Sequence, residues 1–532
     1  MTRKRWIFII AVAALALMWL GARWWTEHTD PTADISLDRF GPYRAGMSLR
    51  ESYESLPDGE HVGLEVLPAN PPAWLARWRL LAQTRDTLDI SYFIVRDDIF
   101  GAAFLGHVLH KAQQGVRVRL LFDAQGTSLS KSVRGNDYLD ALANTDNIAL
   151  KLYRPLLNRY LEAFAKLNPV AAVASEHDKI LVSDGRRGMI GGRNISAEYF
   201  AHGADMPNAF RDIDIVLEGR DIARALTRAF DVQYNSDGAS RLPPETLDLV
   251  TPVPELLLAY RAMDAWLNGE PLAPEYAREI EQRKLEWQRE LTKYPKLRGI
   301  AARERSHQVN AETRLLDSRT RLKAKGDAIG EALVRLTQSA RTHILIQSPY
   351  LVLSEEGVRV LEDAGKRGVK LTILTNSPLS SDNAMSQAFF LEQWPEMLAR
   401  VPNLRIFVSG EKRTLHSKLM IFDDRVTLIG TYNLDPISMA INSEIMAAVW
   451  SEEFARGAAS QPRWLLGTGA PTVYEYRIRR DAQGQAQRGA DGKPLIAFGP
   501  QQHSSPESWK QVQVYWKLLQ AAEQVPGFSP IF

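Results

Sequence analysis

The sequence predicts an α/β protein of two pseudo-twofold-related halves, each a mixed, mostly parallel sheet flanked by helices, with an N-terminal membrane helix in front. Three observations carry that expectation. The order strand, helix, Gly-Val, strand occurs twice, near residues 88–122 and 344–374. Each occurrence is followed by a histidine motif of the same spacing, and an apolar run opens the chain. Strands alternating with amphipathic helices mark a βαβ arrangement with helices outside the sheet.

At the amino end, Arg3, Lys4 and Arg5 precede an uninterrupted apolar run from Trp6 to Leu20, followed by Arg23 and the pair Trp24–Trp25. A run this short fits a cleaved signal-peptide core as well as a membrane span. Small-x-small cleavage options lie inside the run and a Trp pair suits a membrane interface, which favours an uncleaved anchor at residues 1–30. The excess of cations before the run places the amino end in the cytoplasm. The body of the protein is then expected outside the cytoplasm, in the periplasm or the exterior.

A polar connector leads to the first half, residues 58–240. Leu88–Val95 (LDISYFIV) reads as a buried strand, Leu105, Val108 and Ala112 as one face of a helix, and Val116–Phe122 as the next strand. Residues 241–325 form a charged stretch expected to be a helical spacer. Pro274 and Glu275 start a helix there, and Tyr276, Ile280, Trp287 and Leu291 share its face. The second half, 326–465, repeats the series with Ile344–Val352, the helical face Val358, Leu361 and Ala364, and Val369–Leu374. Residues 466–532 are expected to pack on the core as a hairpin near Gln483–Gly492 and a helix near Trp509–Ala522.

Composition narrows the function. The 532 residues carry 65 Lys and Arg against 63 Asp and Glu, a net charge of +2, which counts against a general nucleic-acid binder. No cysteine is present, so disulfides, thiolate chemistry and cysteine lipidation are excluded.

The motifs carry the chemistry. The first reads His177-Asp-Lys179, Asp184, Gly191-Gly192 and Asn194; the second reads His416-Ser-Lys418, Asp423, Gly430-Thr431 and Asn433, at identical spacing. Residues 179–182 and 418–422 read as short buried strands, where alternate side chains share a face, so each histidine and lysine project together. If the halves pack about a twofold axis, two imidazoles and two ammonium groups meet in one cavity. Such a cavity suits a phosphodiester. Lysines offset charge on the non-bridging oxygens, one histidine attacks phosphorus and the other protonates the departing oxygen. Asn194 and Asn433 are expected to donate hydrogen bonds to the same phosphate. Lysine supplies the charge a cation otherwise would, so no metal or other cofactor is called for. Asp184 and Asp423 either enter the chemistry or hold the turn after each strand. Asp212 and Glu444 follow the motifs at comparable places, as carboxylates that orient a histidine or as plain surface groups.

These residues resemble the duplicated histidine–lysine–aspartate motif of the phospholipase D superfamily over roughly residues 60–455. Gly191–Phe200 (GGRNISAEYF), Phe230–Ser236 (FDVQYNS), Ser348–Val352 (SPYLV) and Asn433–Glu444 (NLDPISMAINSE) resemble bacterial cardiolipin synthases of the class C type. Two departures stand out: Gly430-Thr431 where the family has Gly-Ser, and Asp435-Pro436-Ile437-Ser438 where it has Asp-Pro-Arg-Ser. The resemblance implies a phosphatidyltransferase with His177 as nucleophile and His416 as acid then base. It also implies membrane phospholipid substrates, with phosphatidylglycerol as acceptor and phosphatidylethanolamine as a further candidate. The alternative on the same scaffold is a hydrolase of phospholipid or, less favoured, of nucleic acid. A catalytically silent membrane scaffold is the third reading, and such proteins lose a motif histidine or lysine, whereas all four are present here.

Overall fold

The computed structural model describes residues 40–57, 59–129, 137–165, 172–242, 252–271, 281–305, 307–319, 327–467 and 472–523. The expected membrane anchor, residues 1–30, lies outside them, and among the described residues no helix is long and apolar enough to cross a membrane.

The first half supplies strands β1 (Gly59–Leu67), β2 (Thr87–Tyr92), β3 (Arg117–Asp123), β4 (Ile148–Tyr153), β5 (Ile180–Ser183), β6 (Arg187–Gly191), β7 (Asp214–Glu218) and β8 (Ala239–Arg241). The rest of the chain adds β9 (Val309–Ser318), β10 (His343–Gln347), β11 (Lys370–Thr375), β12 (Leu404–Ser409), β13 (Lys418–Phe422), β14 (Val426–Gly430), β15 (Glu444–Trp450), β16 (Val473–Ile478) and β17 (Ile496–Phe498). The two halves do not make separate sheets. Their ladders form one continuous run, joined where β1 pairs with β9. Outward from that ladder, one side reads β7, β6, β5, β2, β3, β4, β8. The other reads β15, β14, β13, β10, β11, β12, β16, the same order by internal repeat, with β17 beyond.

The expectation of mostly parallel sheets is corrected. Only β2–β3–β4 and β10–β11–β12 are parallel, and the other ladders are antiparallel. Parallel neighbours need a crossover of a dozen or more residues. The helices Ile99–Gln113 and Glu355–Lys366 supply it after β2 and β10. Asp98 caps the first, accepting from the Phe100 and Gly101 amides, and Ser354 caps the second. Each crossover then reverses through a glycine at positive φ, Gly115 at 92° and Gly368 at 88°, which explains the repeated Gly-Val. By contrast, residues 184–186 and 423–425 are all that separate β5 from β6 and β13 from β14, and so short a link permits only antiparallel pairing.

The stretch 241–325 contains the helices Pro252–Asn268 and Glu281–Leu291, but its end is β9, a central strand. Val309, Ala311, Thr313 and Leu315 are buried and alternate with more exposed Asn310, Glu312 and Arg314, the period-two pattern of a strand with one covered face. Of the spacer face, Trp287 and Leu291 are buried against the first-half core, while Tyr276 and Ile280 lie outside the described residues. At the carboxyl end β16 extends the second half beside β12, and the helix Pro506–Glu523 packs on Ala384–Arg400.

Two apolar cores lie under the helices of the two halves. A third is shared: Ile180, Val182, Ile190 and Ile215 of the first half pack in one cluster with Leu419, Ile421, Ile429 and Ile445 of the second. This shared core is the floor on which the motifs meet.

Candidate active site

Each motif histidine precedes its strand, β5 or β13, and an extended link from the other half runs beside it. Glu176 bridges Ser443, and Arg211 bridges Leu415, both in parallel. The His416 amide donates to the Arg211 carbonyl at 2.7 Å, and the His177 amide to the Ser443 hydroxyl at 3.1 Å. These links deliver Asp212 and Glu444 to the opposite histidines. His177 Nδ1 lies 3.0 Å from Glu444 Oε1, and His416 Nδ1 lies 2.6 Å from Asp212 Oδ2. The pairing is crossed, so each imidazole comes from one half and its carboxylate from the other. A carboxylate beside each Nδ1 favours the Nδ1–H tautomer, in which Nε2 keeps a lone pair that can attack or take a proton. Gly192 makes the approach of Asp212 possible, because a Cβ there would sit 2.2 Å from Oδ1.

His177 and His416 line a single cleft of about 390 Å³, together with Asn194 and Asn433. Behind each imidazole is its own lysine. Lys179 Nζ donates to the His177 carbonyl at 2.6 Å, and Lys418 Nζ to the His416 carbonyl, with His416 Nδ1 3.0 Å away. Both lysines are buried. Burial lowers the Lys179 ammonium to about 8, with Lys418 adding repulsion while Glu444 opposes the shift. Burial also lowers Lys418, against the pull of Asp212 and Glu444.

The same forces act on the imidazoles. Burial, then Lys179 and Lys418, hold His177 well below the ordinary histidine range, and burial with Lys418 lowers His416 while Asp212 opposes. The carboxylates differ. Burial pushes Glu444 up to about 7 against the pull of Lys179 and of hydroxyl donation from Thr431 and Ser438. Burial would raise Asp212 too, but His416, Lys418 and Arg193 hold it at about 2. Thr431, the departure from Gly-Ser, keeps a hydroxyl that donates to Glu444 Oε2 at 2.5 Å. Ile437, the departure from Asp-Pro-Arg-Ser, lines the cleft and is 39% exposed.

Asn194 accepts from the Ile94 amide at 3.1 Å and donates to the Tyr199 hydroxyl at 3.0 Å. Asn433 Nδ2 donates to Ser438 at 3.3 Å, and its buried Oδ1 has no hydrogen-bond partner among the described residues. The two asparagines therefore hold the loops that frame the cleft. Asp184 and Asp423 sit at the far ends of β5 and β13, away from the cleft. Asp184 accepts from the amides of Arg85, Asp86 and Thr87, and Asp423 from those of Arg341, Thr342 and His343. Both are at φ 51°. They tie each hairpin turn to the start of the neighbouring strand.

Sequence reasoning did not single out Phe93, Tyr199, Tyr350 or Asp382, which also line the cleft. The Phe93 ring is 5.1 Å from His177 and that of Tyr199 is 5.2 Å from His416, both edge-on, which fixes the imidazole planes. The signal was present in the expected strands Leu88–Val95 and Ile344–Val352. Both overran the true strand ends, Tyr92 and Gln347, and the extra residues form the cleft wall.

The family described as "Cardiolipin synthase, PLD-like domain" matches residues 78–233 and 333–462. Cardiolipin synthase C of Escherichia coli (strain K12) is 28% identical over 431 residues, covering 74% of this chain and 82% of that protein. Cardiolipin synthase 1 of Bacillus anthracis is 22% identical over 406 residues, covering 76% of this chain and 64% of that protein. In fold, the chain is similar to the crystal structure of phosphatidylserine synthase of Haemophilus influenzae Rd KW20, with TM-score 0.57 at 12% identity over 90% of this chain and 97% of that one. The family match spans both histidine motifs and more than half of the residues: the chain belongs to the phospholipase D-like cardiolipin synthase domain family, a family of enzymes.

Proposed function

We propose that the protein is a phosphatidyltransferase of the cardiolipin synthase type, moving a phosphatidyl group to phosphatidylglycerol through a phosphohistidine. The observation that carries this reading is the crossed pairing: two imidazoles, each oriented by the other half's carboxylate, open onto one cleft with a buried ammonium behind each. The catalytic groups are His177, Lys179, His416 and Lys418. Asp212 and Glu444 position the imidazoles, and the loop-holding Asn194 and Asn433, which line the cleft, each offer the phosphate the second N–H of their amide.

In the first step His177 Nε2, neutral because its affinity for protons is depressed, attacks phosphorus. The P–N bond forms as the P–O bond to the headgroup breaks, and the departing oxygen takes the proton of His416 Nε2. Arrival of an anionic phosphodiester raises the proton affinity of His416, so the acid is charged when it is needed. In the second step the primary hydroxyl of phosphatidylglycerol gives its proton to His416 and attacks phosphorus, and the P–N bond breaks. The unequal carboxylates support this division of labour. Asp212, ionised down to about 2, stabilises an imidazolium on His416, whereas Glu444 at about 7 exerts a weaker pull on His177. Lys179 and Lys418 hold the negative charge of the transition state throughout.

The decisive experiment incubates purified protein with phosphatidylglycerol, with and without phosphatidylethanolamine, and identifies the lipids formed. Cardiolipin is the expected product. Phosphatidic acid alone would assign a hydrolase, with water as acceptor, and cleavage of DNA without lipid turnover would assign a nuclease. With phosphorus-labelled lipid, a protein-bound label that is stable in base and labile in acid is expected, and absent from His177→Ala.

A further inference from the structure

The helix Leu156–Ala165 is amphipathic in the wrong sense for a soluble surface. Its charged residues face inward. Arg159 is fully buried and paired with Asp123 at 2.7 Å, and buried Glu162 pairs with Arg154 at 2.7 Å. Its apolar residues face outward: Leu157 is 70% exposed, Tyr160 58%, Leu161 38% and Phe164 46%. Exposed large apolar residues at i, i+3, i+4 and i+7 make one continuous stripe. A stripe of this kind on a soluble surface marks an interaction site, since scattered single residues are the norm elsewhere.

Its position says what covers it. Arg159 Nη1 donates to Gln125 at 2.6 Å and to Ser175 at 3.0 Å, and both of those residues line the catalytic cleft. The helix is thus clamped to the cleft wall by its buried guanidinium. Val173 of the cleft wall is 38% exposed, and Met385 and Ile437 of its lining are 55% and 39% exposed. Of the four exposed residues that line the cleft, Asp382 is charged and Val173, Met385 and Ile437 are apolar, so the mouth has a mostly apolar rim next to an apolar helix face, with the imidazoles deeper in. That order of polarity matches a bilayer interface, where acyl chains lie beside a phosphate layer.

We infer that the outward face of Leu156–Ala165, with the rim at Met385 and Ile437, rests in the acyl–headgroup boundary of a phospholipid bilayer and sets the cleft mouth at headgroup level. The helix lies in the plane of the interface, as monotopic amphipathic helices do. The buried Arg159–Asp123 pair keeps the stripe facing outward, and Ile437 presents an apolar side chain to the lipid tails. This inference rests on the phospholipid reading of the cleft for its substrate, but its location on the surface is tested separately.

The chain has no cysteine, so Leu161→Cys in the full-length protein accepts a single environment-sensitive fluorophore. Lys366→Cys, on the exposed helix Glu355–Lys366, is the control. On vesicles of phosphatidylglycerol and phosphatidylethanolamine carrying nitroxide-labelled acyl chains, the probe at 161 is expected to shift to the blue and be quenched, and the probe at 366 to do neither. Equal quenching at both sites, or none at 161, overturns the inference. A blue shift at 161 that appears without vesicles and tracks dimer formation would assign the stripe to a second copy and also overturns it. In parallel, Leu157→Ser combined with Phe164→Ser is expected to lower turnover of vesicle lipid by about tenfold or more. Turnover of a short-chain phosphatidylglycerol dispersed as monomers should be unchanged in that variant, which also reports that it is folded. Equal losses on both substrates overturn the inference. Absence of any lipid turnover by the unsubstituted protein would instead count against the phosphatidyltransferase reading, and the quenching result would stand on its own.

Discussion

Glu444 lies 3.0 Å from His177 Nδ1 and takes a second hydrogen bond from Thr431, yet it belongs to the opposite half of the chain. If its carboxylate fixes the Nδ1–H tautomer of His177, glutamine in its place offers an N–H as readily as an oxygen and no longer enforces that tautomer. Glu444→Gln is expected to cut kcat by about 10²- to 10⁴-fold, within the range seen when a histidine loses its orienting acid. Melting temperature, measured alongside, should barely move, and a variant with normal kcat would remove Glu444 from the mechanism. The lysines give a second expectation. Lys179 is lowered to about 8, so the rate should fall as pH rises through 8 and its charge is lost from behind the phosphate. Stability goes the other way for this group. Its proton affinity is weaker folded than unfolded, where the ordinary value is 10.5, so its burial is unfavourable at neutral pH and that cost is relieved between about 8 and 10.5. A rate that declines above pH 8 while the fold melts no earlier separates the two effects. A rate flat to pH 10 would show that the Lys179 charge is not needed.

Among elements, the tight turns after β5 and β13 illustrate how far sequence reasoning reaches. The spacing from histidine to aspartate is the same in both motifs, and only the structure shows where each aspartate's hydrogen bonds go. Asp184 and Asp423 each accept three backbone amides from the start of the neighbouring strand. Asp184→Ala and Asp423→Ala are expected to lose about 1 kcal/mol of stability each, because three backbone amides, two on exposed residues and one half-buried, lose a carboxylate acceptor and turn to water. Turnover well below the melting temperature should stay within a few-fold of normal, and a loss of several orders of magnitude would return these residues to the chemistry. For Asp423 the donated amides outweigh burial and hold its proton affinity below the ordinary 3.8. Its contribution is therefore full above that value and is lost as pH falls beneath it. The repeat, the crossover helices and the strands β5 and β13 were legible because burial imposes a period on the residues that form them. The strand β9 was missed because Asn310, Glu312 and Arg314, on its more open face, made a central strand look like part of a charged spacer. The crossed pairs were not legible either. Their partners are 267 and 204 residues apart, and no local pattern encodes which carboxylate reaches which imidazole.

At the scale of the molecule, a crossed site requires that neither half shift against the other. A displacement of 1 Å would break the hydrogen bonds of both imidazoles at once. The fold meets that requirement with the β1–β9 ladder, which makes one sheet of two repeats, and with the apolar floor beneath the cleft. In that floor Ile190 and Ile429, fully buried and equivalent by the repeat, belong to the same cluster, so neither half can unfold without exposing apolar surface of the other. Unfolding should therefore be one cooperative event in spite of the duplicated architecture. Scanning calorimetry is expected to give a single endotherm for residues of both halves. Ile190→Ala and Ile429→Ala, each creating a cavity worth about 2–5 kcal/mol, should move that endotherm down as a whole. Both should also lower turnover near the midpoint in parallel with the loss of folded protein. Two endotherms, with Ile190→Ala shifting one and Ile429→Ala the other, would mean that the halves stand as independent domains. The two histidines would then have no shared floor to keep them on opposite sides of one phosphorus.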